Sequence, residues 1–167
     1  MNAQHRAPPR SPVAGPMVGA AGVLGIAAII VPIYEGTVLG TYIDPVGIPT
    51  ACMGETGPHI RIGQRFTLAE CQRMLDAALR EHARGLDRCV KVTLADHEAA
   101  ALLSFAYNVG VGAACSSTMV RMVNAGRPSA EWCQQFDRWV YAKGIKLPGL
   151  VKRRVSEKAL CLGKLTP

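Results

Sequence analysis

The hydrophobic pattern divides the chain into three stretches. Residues 13–33, "VAGPMVGAAGVLGIAAIIVPI", form an uncharged apolar run of 21 residues behind His5, Arg6 and Arg10. As a helix it would extend roughly 31 Å at about 1.5 Å per residue, which matches a hydrocarbon core of about 30 Å. Residues 36–66 alternate β-branched residues with Gly, Thr and Pro, and turn signals stand at Asp44-Pro45, Gly47, Gly57-Pro58 and Gly63. Two or three short strands are predicted there. From Thr67 the period becomes helical: Thr67 and Glu70 have capping-box spacing, and Leu68, Cys71, Leu75, Ala78 and Leu79 form an apolar stripe. A second helix, predicted to start at Thr93 as N-cap, is apolar nearly all round from Ala99 to Phe105 and should be the buried centre. Further helices are expected within 115–124, 129–142 and 148–161, with Trp132 and Trp139 on one core-facing stripe.

The apolar run admits three readings. A cleaved signal peptide needs a small-residue cleavage site, and none lies between Ile29 and Gly40. Cleavage beyond the run would also remove Glu35. A permanent anchor is possible, but the run contains four Gly, five Ala and two Pro with a single Leu, so lipid holds it weakly. The third reading is an uncleaved segment that inserts, directs export and later leaves the bilayer. The preceding cationic residues place the N-terminus in the cytoplasm and the remainder outside.

Charge and cysteine content narrow the surroundings. Nineteen Lys and Arg against 12 Asp and Glu give a net charge of +7, which favours polyanions. No aromatic RNA-binding pattern, zinc spacing or recognition helix accompanies that charge, so nucleic acid is not expected as a partner. Six cysteines, dispersed after residue 50 without a C-x-x-C, suit disulfides in an oxidising compartment better than a metal. No metal and no cofactor are expected.

Two acids nine residues apart, Glu35 in an apolar-flanked turn and Asp44 in a polar loop, form a candidate acid and base pair. With Thr50 they make E-x8-D-x5-T in a β-rich stretch after a helix. That motif resembles the catalytic motif of the phage-type lysozymes, glycoside hydrolase family 24. Residues 101–126, "ALLSFAYNVGVGAACSSTMVRMVNAG", resemble the family's central-helix block, and residues 142–163, "AKGIKLPGLVKRRVSEKALCLG", its C-terminal block. The resemblance covers residues 34–163 in order. It implies an α+β, lysozyme-like fold: a small antiparallel β-lobe at about 36–66 and a helical lobe at about 67–163, within a domain running from 34 to 167. With its weak uncleaved span at 1–33, the chain further resembles signal-anchor-release endolysins of phages.

The resemblance implies hydrolysis of the β-1,4 bond between N-acetylmuramic acid and N-acetylglucosamine in peptidoglycan, with inversion. Glu35 would protonate the leaving oxygen, which asks for partial burial. Asp44, helped by Thr50, would activate water on the opposite face of the sugar. It also implies a monomer, exported by the host machinery, tethered at the inner membrane in an inactive form, then soluble in the periplasm and lytic for the host. The pairing Cys52–Cys71, Cys89–Cys115 and Cys133–Cys161 follows from how the cysteines fall on the family's elements, among 15 possible connectivities. Tyr107 and Asn108 could line the saccharide cleft, although Gly110 closing a helix explains Asn108 equally well. Arg153 and Arg154 read as packed or solvated basic residues, or as contacts to acidic wall polymers. His59, His82 and His97 read as surface or capping residues. The family often has Gly-His where this chain has Gly54-Glu55, so no role is carried over to that position. The other function classes to be distinguished are a peptidoglycan-binding module with a dead site and a membrane-lesion protein.

Overall fold

The computed structural model describes residues 21–44 and 47–164. Arg6, Arg10, residues 13–20 of the apolar run and Pro45 of the predicted turn lie outside the described residues. The first helix, α1 (Ala21–Glu35), runs without a break through the expected boundary at 33–34. It buries Val23, Leu24, Ala27, Ile30 and Val31 against α2 (Leu68–Asp87) and α3 (Asp96–Val109). At about 1.5–3 kcal/mol for each large aliphatic side chain, the four larger residues contribute on the order of 6–12 kcal/mol relative to exposure in water. Among the described residues, no helix is long and apolar enough to cross a membrane.

A three-stranded antiparallel sheet follows: β1 (Val38–Ile43), β2 (Pro49–Cys52) and β3 (Glu55–Thr56), in that order. Tyr42 faces Thr50 and Ile43 faces Pro49, with a register irregularity between Val38 and Tyr42. The long α2 leaves this lobe. Thr67 accepts from the Glu70 N–H and Glu70 reaches back to the Thr67 N–H, so the predicted capping box forms. Its buried residues Cys71, Leu75, Leu79, Ala83 and Leu86 repeat at helical spacing. Of the predicted stripe, Cys71, Leu75 and Leu79 are buried, Ala78 is half-buried and Leu68 in the first turn is exposed.

Helix α3 is the hub, buried from Glu98 to Ala106, with α1 and α2 packed on it and α7 (Pro148–Cys161) beside it. It begins later than predicted. The N-cap is Ala95, not Thr93, because the Glu98 carboxylate accepts from the Ala95 N–H and fixes the first turn there. Helices α4 (Val111–Ser116), α5 (Thr118–Asn124) and α6 (Ser129–Trp132) complete the lobe. A β-carbon at Gly85 would lie 2.6 Å from a Val111 methyl, so the close approach of α2 and α4 requires glycine.

Of the helix expected within 129–142 only the short α6 forms. After α6 the backbone tightens into a 3-10 helix (Cys133–Arg138), and a hairpin follows, β4 (Tyr141–Ala142) with β5 (Ile145–Lys146). Lys143 and Gly144 turn it with positive φ. The two tryptophans therefore leave a common stripe: Trp132 is fully buried, whereas Trp139 is half-buried and stands edge-on to Phe105. Disulfides join Cys52 to Cys71, Cys89 to Cys115 and Cys133 to Cys161. The first ties the small lobe to α2 and the third ties the 3-10 helix to the end of α7. Separations of 19, 26 and 28 residues correspond to about 3 kcal/mol each on the chain-entropy account.

Candidate active site

Glu35 is the last residue of α1 and 22% exposed. Its two carboxylate oxygens meet different surroundings. Oε1 accepts from Arg153 Nη1 at 2.5 Å. Oε2 faces Gly54, where a β-carbon would lie only 3.3 Å away and where φ is +87°. The positive φ is what favours glycine there, and a methyl group would press on Oε2.

Arg153 is 3% exposed and belongs to a network that sequence reasoning missed. Its Nε donates to Glu157 Oε1 at 2.9 Å and its Nη2 to the Ser104 carbonyl at 3.0 Å, while the Ser104 hydroxyl donates to the same Glu157 oxygen at 2.8 Å. Arg154 donates to the other Glu157 oxygen, to Asn108 Oδ1 and to the Trp139 carbonyl. Two arginines thus share one fully buried glutamate, and the net positive charge left over is directed at Glu35. Burial pushes the Arg154 guanidinium below its ordinary value, with Glu157 opposing that shift. Tyr34 and Phe105 cover the two guanidinium groups, at 5.4 and 4.9 Å from the ring centres. Both arginines are packed internal groups, not a wall-facing surface. The local signal was R-R-x-x-E on one helix, where spacings of three and four put Glu157 beside both cations.

Asp44 closes the β1–β2 turn. Its Oδ1 accepts from the Ile48 N–H at 2.8 Å, and its own N–H donates to the Ile48 carbonyl. Thr50 sits beneath that loop, 4% exposed, with its hydroxyl donating to the same Ile48 carbonyl at 3.1 Å. The strand pairing that sets Tyr42 opposite Thr50 therefore brings Thr50 under the turn that carries Asp44.

A groove of about 670 Å³ opens beside Glu35. Ile33, Tyr34 and Glu35 form one wall, Asn108 lies against it, and Leu147–Arg153 at the start of α7 form the other. Asn108 lines this groove and also receives Arg154. Tyr107 turns elsewhere: its hydroxyl donates to the Met53 carbonyl at 2.9 Å. Burial, then the Glu35 and Glu55 carboxylates, push the Tyr107 phenol well above its ordinary value. His82 is half-buried with its ring 5.2 Å from that of Tyr107, so it is more than a surface residue. Glu55, next to Gly54, lies 3.4 Å from His59. Burial raises its carboxyl above the ordinary value, and His59 works in the opposite direction. Among the described residues, no cluster of His, Cys, Asp and Glu could hold a metal ion.

The chain matches the phage lysozyme family over residues 32–157. It is 39% identical to the SAR-endolysin of Enterobacteria phage PA-2 over 128 residues, 77% of each chain. Among solved structures, the endolysin from Escherichia coli O157:H7 phage FAHEc1 superposes with a TM-score of 0.78 at 26% identity, covering 92% of this chain and 98% of that one. The muramidase domain of SpmX from Asticaccaulis excentricus gives 0.74 at 28% identity, covering 89% and 97%. The family match begins just before Glu35 and ends on Glu157, the buried partner of both arginines, and on this evidence the chain belongs to the phage lysozyme family.

Proposed function

We propose that this protein is an endolysin of the muramidase type, cutting the β-1,4 bond between N-acetylmuramic acid and N-acetylglucosamine and so lysing the host cell. The observation that carries this reading is the placement of Glu35: one oxygen is anchored on a buried arginine, the other faces Gly54, and Glu35 and Arg153 line a groove. A glycosidic oxygen is a poor leaving group, and Glu35 protonates it as the bond to the muramic carbon breaks. Asp44 and Thr50 handle the incoming water. Because the Thr50 hydroxyl already donates to Ile48, it can only accept from that water. One water hydrogen then points to Asp44 and the other to Thr50, which leaves a lone pair for the anomeric carbon. Attack opposite to the leaving group inverts the configuration.

The same reading covers localisation. The chain is exported through the host machinery with residues 1–33 uncleaved, is tethered at the inner membrane, and becomes a soluble periplasmic monomer on release. Glu35 ends α1, so the acid reaches Arg153 only when that helix is docked on α2 and α3. Lipid tails are as apolar as a protein core, so burial alone does not favour release. The balance rests on the weak lipid preference of Gly and Ala and on what Glu35 gains at Arg153. Clearing of outer-membrane-permeabilised cells by the purified chain, lost in Glu35→Gln, tests the enzymatic reading. Equal clearing by both proteins together with dye leakage from lipid vesicles would replace it with a membrane-lesion activity.

A further inference from the structure

The turn that meets Glu35 is anchored from two directions. Cys52 has φ +56° and is bonded to Cys71 of α2, while Gly54 has φ +87°. Between them Met53 is 5% exposed, and its carbonyl accepts the Tyr107 hydroxyl at 2.9 Å. Tyr107 comes from α3, in the other lobe. A phenylalanine would fill the same volume, so the hydroxyl adds one specific thing: a hydrogen bond across the lobe boundary to the residue preceding Gly54. The ring itself is held by His82 of α2 at 5.2 Å. The hydroxyl's proton is committed to Met53.

We propose that Tyr107 is a positioning residue for Glu35: its phenol holds the Met53–Gly54 turn so that Gly54 backs the second oxygen of the acid and limits how far water reaches it. This rests on Glu35 being the general acid. The charged and titratable groups around the pair are Glu35 itself from α1, Glu55 from β3, His82 from α2 and Arg153 from α7. Without the hydroxyl, the turn retracts and water reaches Oε2. Water favours a charged carboxylate over a proton-bearing one, and a carboxyl displaced by about 1 Å can lose up to about a hundredfold in rate.

The test is the rate–pH profile of Tyr107→Phe and Gly54→Ala on isolated peptidoglycan, beside wild type and Glu35→Gln, with unfolding temperatures measured for all four. In Tyr107→Phe the rate at neutral pH should fall about tenfold or more, and the limb at which activity is lost with rising pH should move lower. Gly54→Ala should also displace that limb, because its methyl group occupies the space at Oε2. A merely structural tyrosine would lower the unfolding temperature and the active fraction without moving the profile. An unmoved profile in Tyr107→Phe overturns the proposal, whatever the unfolding temperature does. An active Glu35→Gln would instead overturn the function on which it rests.

Discussion

Replacing Arg153 with methionine probes the buried network at its most connected point. The substitution keeps most of the aliphatic volume and removes the guanidinium. Glu157, fully buried, then retains Arg154 and the Ser104 hydroxyl but loses one of its two cations. The Ser104 carbonyl loses the donor at 3.0 Å, and Glu35 loses its only ion pair among the described residues. Breaking a buried pair by removing one partner costs about 3–5 kcal/mol. The value should lie near the lower end, about 3 kcal/mol, because Arg154 continues to neutralise Glu157. For a domain of this size that corresponds to about 6–12 °C in unfolding temperature. Calorimetry at neutral pH measures it, and the double variant Arg153→Met, Glu157→Gln should be less stable than the single one, because it leaves the buried Arg154 without its counter-charge. A single variant within about 1 kcal/mol of wild type, or a double variant more stable than the single one, would refute the reasoning.

Two further outcomes follow from local geometry. The carboxyl of Glu55 is raised in the folded state, so its stabilising contribution is full below the ordinary carboxyl value of 4.5 and is lost as pH rises through the folded value. Glu55→Gln should therefore raise the unfolding temperature at pH 7 and leave it nearly unchanged near pH 4, and the opposite order would contradict this. In α1, a β-carbon at Gly22 would lie 2.4 Å from an Asp96 oxygen, whereas Gly25 faces open space. Leucine at either position favours the bilayer by roughly 0.3–0.6 kcal/mol, so Gly22→Leu should remain membrane-bound longer than Gly25→Leu on fractionation. Equal partitioning would show that docking against α3 plays no part in release.

What could be read from the sequence depended on how far apart the interacting residues lie. Thr67 and Glu70 are three residues apart, and the capping box forms as their spacing required. The stripe through α2 and the apolar centre of α3 were equally legible, because each is a local periodicity that burial preserves. Thr93 misled because a good capping residue lost to Glu98, which secures the turn from the other side through the Ala95 N–H. Trp132 and Trp139 suggested one helix, but the segment tightens and then reverses at Lys143 and Gly144. For Arg153 and Arg154 the packed reading prevails over the solvated one, but their partners were not legible because the counter-charge is divided. Glu157 is four and three residues away, whereas Glu35 is 118 residues from Arg153. No periodicity reports a contact of that separation. The cross-lobe bond from Tyr107 to Met53 was hidden for the same reason.

The central claim is that Glu35 is the general acid of a muramidase. Its most direct test is digestion of isolated peptidoglycan by wild type and Glu35→Gln, with mass analysis of the soluble products. Wild type should release disaccharide peptides with N-acetylmuramic acid at a hydrated reducing end. Glu35→Gln, folded to the wild-type unfolding temperature within a few degrees, should be slower by about 100- to 10,000-fold. Products carrying an anhydro sugar or cut within the peptide, or a Glu35→Gln rate within a few-fold of wild type, would contradict the account.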